Sequence, residues 1–218
     1  MNHNATAGRA TPFTLLRRLT QPRTNRERCE LCSVLLTPGH RHLLEMSSRQ
    51  VICACDHCAM RFNLVVGGRF KLIPRYPHAL PDFHLTDGQW ESLALPIDLA
   101  FLFYNTPGGK LMALYPSPAG ATESLLTLAA WQALVEDNPA LTQMEPDVEA
   151  LLINRVGATR QYYLAPIDAC YELVGLIRIH WRGLSGGEDV WEQIAAFFTR
   201  LEERSEPLSI VGEEENHA

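Results

Sequence analysis

Cys29-Glu-Leu-Cys32 and Cys55-Asp-His-Cys58 are two cysteine pairs in this 218-residue chain, with twenty-two residues between them. Four thiolates suit a tetrahedral zinc ion, and paired C-x-x-C spacing is typical of such sites. So small a segment has few apolar residues, so the metal would supply much of its stability. We therefore predict one structural zinc ion bound by Cys29, Cys32, Cys55 and Cys58.

The order of elements around the pairs predicts the kind of finger. The first pair precedes two candidate strands, at residues 42–46 and 50–54, joined by Ser47-Ser48. The second pair opens a helix-like pattern over residues 56–66, which Gly67-Gly68 ends. A cysteine pair, a hairpin, a second pair and a helix in this order indicate a treble-clef-like zinc finger.

Other potential ligands lie close to the pairs. Cys53 offers an alternative third ligand, but pairing Cys55 with Cys58 keeps the symmetric spacing, so we expect Cys53 to be a small strand residue. An all-cysteine ligand set leaves the nearby histidines free, and we predict none of them as a ligand: His40, His42 and His57.

Iron is the competing metal, because two C-x-x-C pairs around one iron ion form a rubredoxin-like electron carrier. Neither pair is followed by the glycine common in rubredoxins, since Ser33 and Ala59 occupy those positions. The second pair also opens a helix, so zinc is favoured. Four protein ligands leave no open coordination position, which argues against hydrolytic zinc chemistry.

The rest of the chain predicts an α+β body after the finger. Two candidate hairpins, at residues 97–115 and 149–165, are each followed by a candidate helix, at 125–136 and 169–182. Five identities at an offset of fifty residues indicate either a duplicated hairpin–helix unit or similar strand composition. A last amphipathic helix covers 188–203, and we expect the helices to cover one face of an antiparallel sheet.

Composition shifts divide the chain into four segments. We predict a flexible N-terminus with a short helix at 1–24, the finger at 25–75, the body at 76–204 and an acidic tail at 205–218. The chain has no run of eighteen apolar residues, and residues 1–20 lack a continuous apolar segment, so we expect neither membrane insertion nor a secretory signal. Five of the six cysteines lie within thirty residues, which favours metal binding in the reducing cytoplasm over disulfides.

Charge is distributed unevenly between finger and body. Residues 1–75 contain twelve Lys/Arg and four Asp/Glu, a net charge of +8, whereas residues 76–218 carry −14. A basic finger on an acidic body can bind an acidic protein surface, or both charges can simply be solvated. The acidic body would repel a polyanion, so nucleic-acid binding is not favoured.

No sequence motif indicates catalysis. The chain has no Ser-His-Asp order, no H-E-x-x-H and no dinucleotide fingerprint. Cys170 lies near a predicted helix start, but Asp168 beside it opposes thiolate formation, so we expect a buried structural thiol. The small-residue segment 117–124 matches no phosphate-binding loop and is predicted as an ordinary connection.

Several longer motifs resemble an uncharacterised bacterial family associated with gene clusters of actinobacterial-type nickel–iron hydrogenases. They include Cys53-Ala-Cys-Asp-His-Cys58, Tyr115-Pro-Ser-Pro-Ala-Gly-Ala-Thr-Glu-Ser124, Glu145-Pro-Asp-Val-Glu-Ala-Leu-Leu152 and Trp181-Arg-Gly-Leu-Ser-Gly-Gly187. The resemblance covers roughly residues 25–203 and implies a cytoplasmic accessory protein in hydrogenase assembly, maturation or electron supply. It carries over no established activity.

These observations predict a non-enzymatic accessory protein with a structural zinc finger that binds a protein partner, such as a hydrogenase subunit or precursor. A rubredoxin-like iron electron carrier is the first alternative. A zinc-finger nucleic-acid-binding protein is the second.

Overall fold

The elements of the chain form two sheets with flanking helices. The computed structural model describes residues 27–63, 67–124, 128–183 and 186–208. The helix predicted at residues 12–19 and most of the predicted acidic tail lie outside these ranges. Within them, no helix combines the length and the apolar character needed to cross a membrane.

The finger contains a three-stranded antiparallel sheet and one helix. Its elements are β1 (Arg41–Glu45), β2 (Val51–Ala54), α1 (Asp56–Asn63) and β3 (Phe70–Leu72), and β1 lies between β2 and β3. The predicted hairpin and the helix after it are therefore present. Leu43 and Ala54 are fully buried beside Cys29 and Cys58, so the small core of the finger is built around the cysteine pairs.

The body contains a seven-stranded sheet and its flanking helices. Its elements are β4 (His78–Ala79), α2 (Asp87–Ser92), β5 (Leu99–Asn105), β6 (Lys110–Ser117), β7 (Gly120–Ser124), α3 (Leu128–Asp137), a 3₁₀ helix (Pro139–Gln143), β8 (Glu149–Asn154), β9 (Gln161–Pro166), α4 (Ile167–His180), α5 (Gly187–Glu203) and β10 (Glu206–Pro207). The strand order is β10-β4-β9-β8-β5-β6-β7, and all neighbours are antiparallel except β10 and β4.

Both faces of the large sheet are covered, which corrects the expectation of helices on one face. Phe101 and Phe103 of β5 pack with α4 and α5 in one buried cluster. Ala100 and Leu102, which point to the opposite face, pack with Leu134 of α3 in a second cluster. Central strands that are covered on both sides bury both of their faces, which explains the unbroken apolar runs at residues 99–103 of β5 and 150–153 of β8.

The two hairpin–helix units differ from each other. The second consists of β8, β9 and α4, as predicted. In the first, strand β7 lies between the hairpin and α3, so the prediction that residues 117–124 form a connection was wrong. Strand β7 pairs with β6 through a turn at Ser117–Gly120, and it forms the edge of the sheet.

The finger packs directly against the body. Leu44 of β1 and Ile73 are fully buried in the same cluster as the α4 and α5 side chains. The guanidinium of Arg49 donates to the Asp147 carboxylate over 3.2 Å and lies 4.6 Å from the centre of the Phe103 ring. One face of the β1–β2 hairpin is thus part of the body's core.

Candidate metal centre

The first cysteine pair is held in a tight turn by backbone hydrogen bonds. The amide of Ser33 donates to the Cys29 carbonyl over 2.7 Å, and the Cys29 amide donates to Val34 over 2.9 Å. Ser33 has a φ of 63°, which closes the turn in the left-handed region. The Glu30 amide donates to the Cys53 carbonyl over 2.9 Å, so the turn is joined to strand β2.

The second pair lies where β2 gives way to α1. Cys55 directly follows the strand, and Cys58 lies in the first turn of the helix, where the Ala59 amide donates to the Cys55 carbonyl over 2.9 Å. The Sγ atoms of the four predicted cysteines lie within 4.8 Å of one another. The Sγ atoms of Cys32 and Cys55 are 3.7 Å apart.

The four thiols have unequal surroundings. Cys29 and Cys58 are buried, Cys32 is exposed and Cys55 is intermediate. Burial alone would raise the pKa of Cys29, but the amides of Cys55, Leu31 and Cys32 lower it to about 6. Burial, together with contacts to the other three thiols, raises the pKa of Cys58 to about 12. A metal ion that binds all four must displace the remaining protons.

This arrangement could hold one metal ion with four sulfur ligands. It brings together the four residues predicted from the spacing, and it excludes Cys53 from the group. Alternation along the hairpin explains this, because Leu43 and Ile52 face the cysteine quartet whereas Leu44 faces the body. Cys53 is the register partner of His42 and shares the face of Leu44.

The structure brings together three residues that the spacing argument set aside. One ring nitrogen each from His40 and His42 and the Cys53 Sγ lie within 4.8 Å of one another. The available signal was His40-x-His42 at the start of a strand with a cysteine on the neighbouring strand, but the pairing register is needed to recognise it. His57, in contrast, is exposed on α1.

An acidic side chain from the body contacts this second group. The Nδ1 atom of His42 lies 2.6 Å from Asp168 Oδ2 in the first turn of α4. This hydrogen bond is the main reason that the pKa of His42 is raised, although burial opposes it. The other Asp168 oxygen accepts the Ala169 amide over 2.8 Å.

The thiol outside the finger is enclosed. Cys170 is fully buried in α4, and burial raises its pKa, so the expected structural role agrees with its surroundings.

A cleft of about 790 Å³ lies between finger and body and is lined by His40, His42, Tyr76, Asp168 and Glu172, among others. Sequence patterns did not predict this cleft.

Comparison with curated proteins and with solved structures returns no significant match to the chain. A family model, described as a family of unknown function, matches residues 28–205, which include both cysteine pairs and every strand of the large sheet except the last. The chain therefore belongs to the family of unknown function DUF5947.

Proposed function

We propose that the chain is a non-enzymatic accessory protein in which a structural zinc ion holds the finger in shape for a protein partner. The observation that carries the proposal is the convergence of four sulfur atoms within 4.8 Å. Four protein ligands fill a tetrahedral shell and leave no position for a substrate, which is typical of structural zinc. The order of pair, hairpin, pair and helix supports a treble-clef-like finger.

Exposed apolar side chains on the finger support a role in partner binding. Val34 and Leu35 follow the first cysteine pair, and Met60 lies on α1; they are 49%, 46% and 67% exposed. Large apolar side chains that are exposed to water contribute to the free energy of binding when a partner covers them. The partner that we propose is a hydrogenase subunit or precursor, on the basis of the resemblance to the family found beside nickel–iron hydrogenase genes.

The cytoplasm is the compartment that we propose for this function. All six cysteines lie in the described ranges, and none of them forms a disulfide there. Cysteines at this density stay out of disulfides where glutathione and thioredoxin keep thiols reduced.

The exposure of one ligand favours a second candidate, a rubredoxin-like iron centre. Cys32 is exposed, and its sulfur lies 3.7 Å from that of Cys55. An exposed sulfur would give an electron a short path from the metal to a redox partner. Metal analysis and absorption spectroscopy of the purified chain separate the two: a colourless protein with zinc supports the first, and a red protein with one iron ion overturns it.

The partner proposal is tested with the full chain as bait in native cell extract. Wild type is compared with a variant that carries Leu35→Ser and Met60→Ser, which leaves all four cysteines in place. We expect a hydrogenase subunit or precursor to be retained by wild type and lost from the variant. Equal retention by both, or no such protein with either, contradicts the proposal.

Nucleic-acid binding is tested separately by a gel-shift titration at low salt. The net charge of −14 on residues 76–218 opposes approach of a polyanion. We expect no shift. A complex that weakens steeply with added salt would instead favour the nucleic-acid-binding alternative.

A further inference from the structure

We propose that His40, His42 and Cys53 form a second transition-metal site, distinct from the four-cysteine centre, with three protein ligands and one open coordination position. The proposal does not depend on which ion the four cysteines hold. It rests on the backbone register, on the tautomers that neighbouring groups impose on the histidines, and on an unpartnered buried nitrogen.

The backbone places the three side chains on one face. His42 and Cys53 are directly opposite each other in the β1–β2 pair, and opposite residues project to the same side. His40 precedes His42 by two residues, which matches the two-residue repeat of extended chain. The rings of His40 and His42 meet edge to face, with centroids 4.9 Å apart.

His40 presents a buried nitrogen that lacks a partner. Its Nδ1 lies 3.2 Å from the Thr37 carbonyl, which can only accept, so Nδ1 carries the proton. The Nε2 atom is then an acceptor; it is buried and has no hydrogen-bond partner among the described residues. The side chain is only 8% exposed. A metal ion would satisfy this nitrogen.

In His42, as in His40, Nδ1 is the donor, and here its acceptor belongs to the body. Its Nδ1 donates to Asp168 Oδ2 over 2.6 Å, because a carboxylate can only accept. In the neutral imidazole the Nε2 atom then carries no proton and can ligate. A carboxylate that accepts from the far nitrogen of a ligating histidine is the usual outer partner in metal sites, where it fixes the ring and strengthens the ligand.

Negative charge surrounds the three candidate ligands. Glu27 Oε2 lies 3.5 Å from His40 Nδ1, and Glu30 Oε1 accepts the Cys53 amide over 2.8 Å. With Asp168, each ligand thus has a carboxylate beside it. Three arginines line the same cleft. Arg41 and Arg75 pair with Asp56, at 3.4 and 3.3 Å, and Arg204 donates to the Arg75 carbonyl over 3.3 Å. These charges favour a bound cation.

The donor set indicates the class of ion. Two imidazoles and one thiolate suit zinc and related divalent ions of borderline softness. Ligand atoms around such an ion lie about 3.3–3.8 Å apart. The three atoms of this group lie within 4.8 Å of one another, so binding would draw them together by at most about 1.5 Å. We place the open fourth position on the side of the cleft between finger and body, which His40 and His42 line.

Cobalt titration of the apo full-length chain tests the proposal, because Co²⁺ replaces zinc and reports its ligands by colour. We expect two equivalents in wild type, one with the charge-transfer absorption of four thiolates and one with that of a single thiolate. His40→Ala and Cys53→Ala should each lose the second equivalent and keep the first. His57→Ala, a histidine of the same finger outside the group, should keep both.

The outcomes decide between this site and the four-cysteine centre. One equivalent in wild type with cobalt in tenfold excess overturns the second site, whatever the variants do. A second equivalent that persists in both His40→Ala and Cys53→Ala also overturns it. Absence of the four-thiolate spectrum would instead contradict the proposed function, and the two failures are therefore distinguishable.

Binding of imidazole tests whether the second site has an open coordination position. Added imidazole should shift the spectrum of the second cobalt ion and leave that of the four-thiolate ion unchanged, since only the second has a free coordination position. A spectrum unchanged by millimolar imidazole would contradict the open position.

Discussion

At the scale of single residues, Asp147 joins the finger to the body. Its carboxylate is fully buried and accepts from the Thr106 amide over 2.9 Å, the Thr106 hydroxyl over 2.7 Å and Arg49 over 3.2 Å. Its φ is 70°, a conformation that asparagine tolerates almost as well as aspartate. Asparagine therefore keeps the shape and the backbone preference and removes only the charge.

We predict that Asp147→Asn destabilises the chain by about 2–3 kcal/mol, because hydrogen bonds to a buried charge weaken and Arg49 loses its counter-ion. Urea unfolding measures the change. The exposed Asp82→Asn is the matched control and should change stability by less than about 0.5 kcal/mol. Equal effects of the two substitutions would mean that the buried pair contributes nothing.

Glu149 makes the stability of the folded chain depend on pH. Burial raises the pKa of its carboxyl, and Glu145 adds to this, although the Glu145 amide, His78 and Lys71 oppose it. The folded state therefore holds the proton to higher pH than the unfolded state does. Stability attributable to this group is fully present below the unfolded pKa of about 4.3 and falls as pH rises towards the folded value.

We predict that Glu149→Gln removes this pH dependence, because glutamine does not titrate. The hydrogen bond is kept, since the glutamine side chain can still accept the Glu145 amide, which donates to Glu149 over 2.8 Å. Wild type should lose stability relative to the variant as pH rises from 4 to 7. Paired urea unfolding at both pH values gives the difference. A difference that is constant, or that has the opposite sign, contradicts the assignment.

At the scale of elements, the turn between α4 and α5 depends on Gly186. Its φ is 91°, and a Cβ atom there would lie 2.8 Å from Val190 Cγ1 and 3.3 Å from the Trp181 ring. Gly183 in the same turn has a φ of 63°, but a Cβ atom there would meet no described atom within 4 Å. The pair therefore separates backbone strain from steric overlap.

We predict that Gly183→Ala costs about 1 kcal/mol, the penalty for a positive φ, and that Gly186→Ala costs about 2 kcal/mol more, because overlap is added to strain. Thermal unfolding of both variants measures this. If the two alanine variants have the same stability, Val190 and Trp181 must move aside without penalty.

Elements specified by neighbouring residues were predictable from sequence. The capping box at Thr86 is one: the Thr86 side chain accepts the Gln89 amide over 3.2 Å, and the Gln89 side chain accepts the Thr86 amide over 2.9 Å. Alternation and turn residues similarly indicated the finger hairpin and both hairpins of the body. In each case the residues whose interactions form the element lie close together in the sequence.

Elements specified by distant partners were missed. Strand β7 has five small or polar residues, which an edge strand tolerates because only β6 pairs with it. The turn before it carried a signal, since the Ser117 hydroxyl accepts the Ala119 amide over 3.2 Å. Strand β4 has two residues, and its pairing of His78 with Leu164 has no local signature.

The two groups of potential metal ligands differ in the same way. The four-cysteine group is encoded by spacing within each pair, and it was predicted. The group of His40, His42 and Cys53 depends on the strand register, and its orienting carboxylate, Asp168, is 126 residues from His42. Sequence separation of that size hides a site until the fold is known.

At the scale of the whole molecule, finger and body share one core through Leu44 and Ile73. We predict that removing metal with a chelator lowers the stability of the body as well as that of the finger. If the four cysteines bind a metal ion as proposed, the small core of the finger would depend on that ion for its stability. Unfolding of the finger would then expose part of the cluster that Leu44 and Ile73 share with α4. Hydrogen exchange of the Ile167–His180 amides in holo and apo protein measures the effect.

The control for that measurement lies on the other face of the sheet. Helix α3 packs in the second cluster, away from the finger, and its amides should lose less protection than those of α4 when metal is removed. If α4 keeps its full protection while the finger exchanges freely, finger and body unfold independently, and the segment boundary predicted at residue 76 is a domain boundary in the energetic sense. If α4 loses protection, the metal stabilises a single cooperative unit.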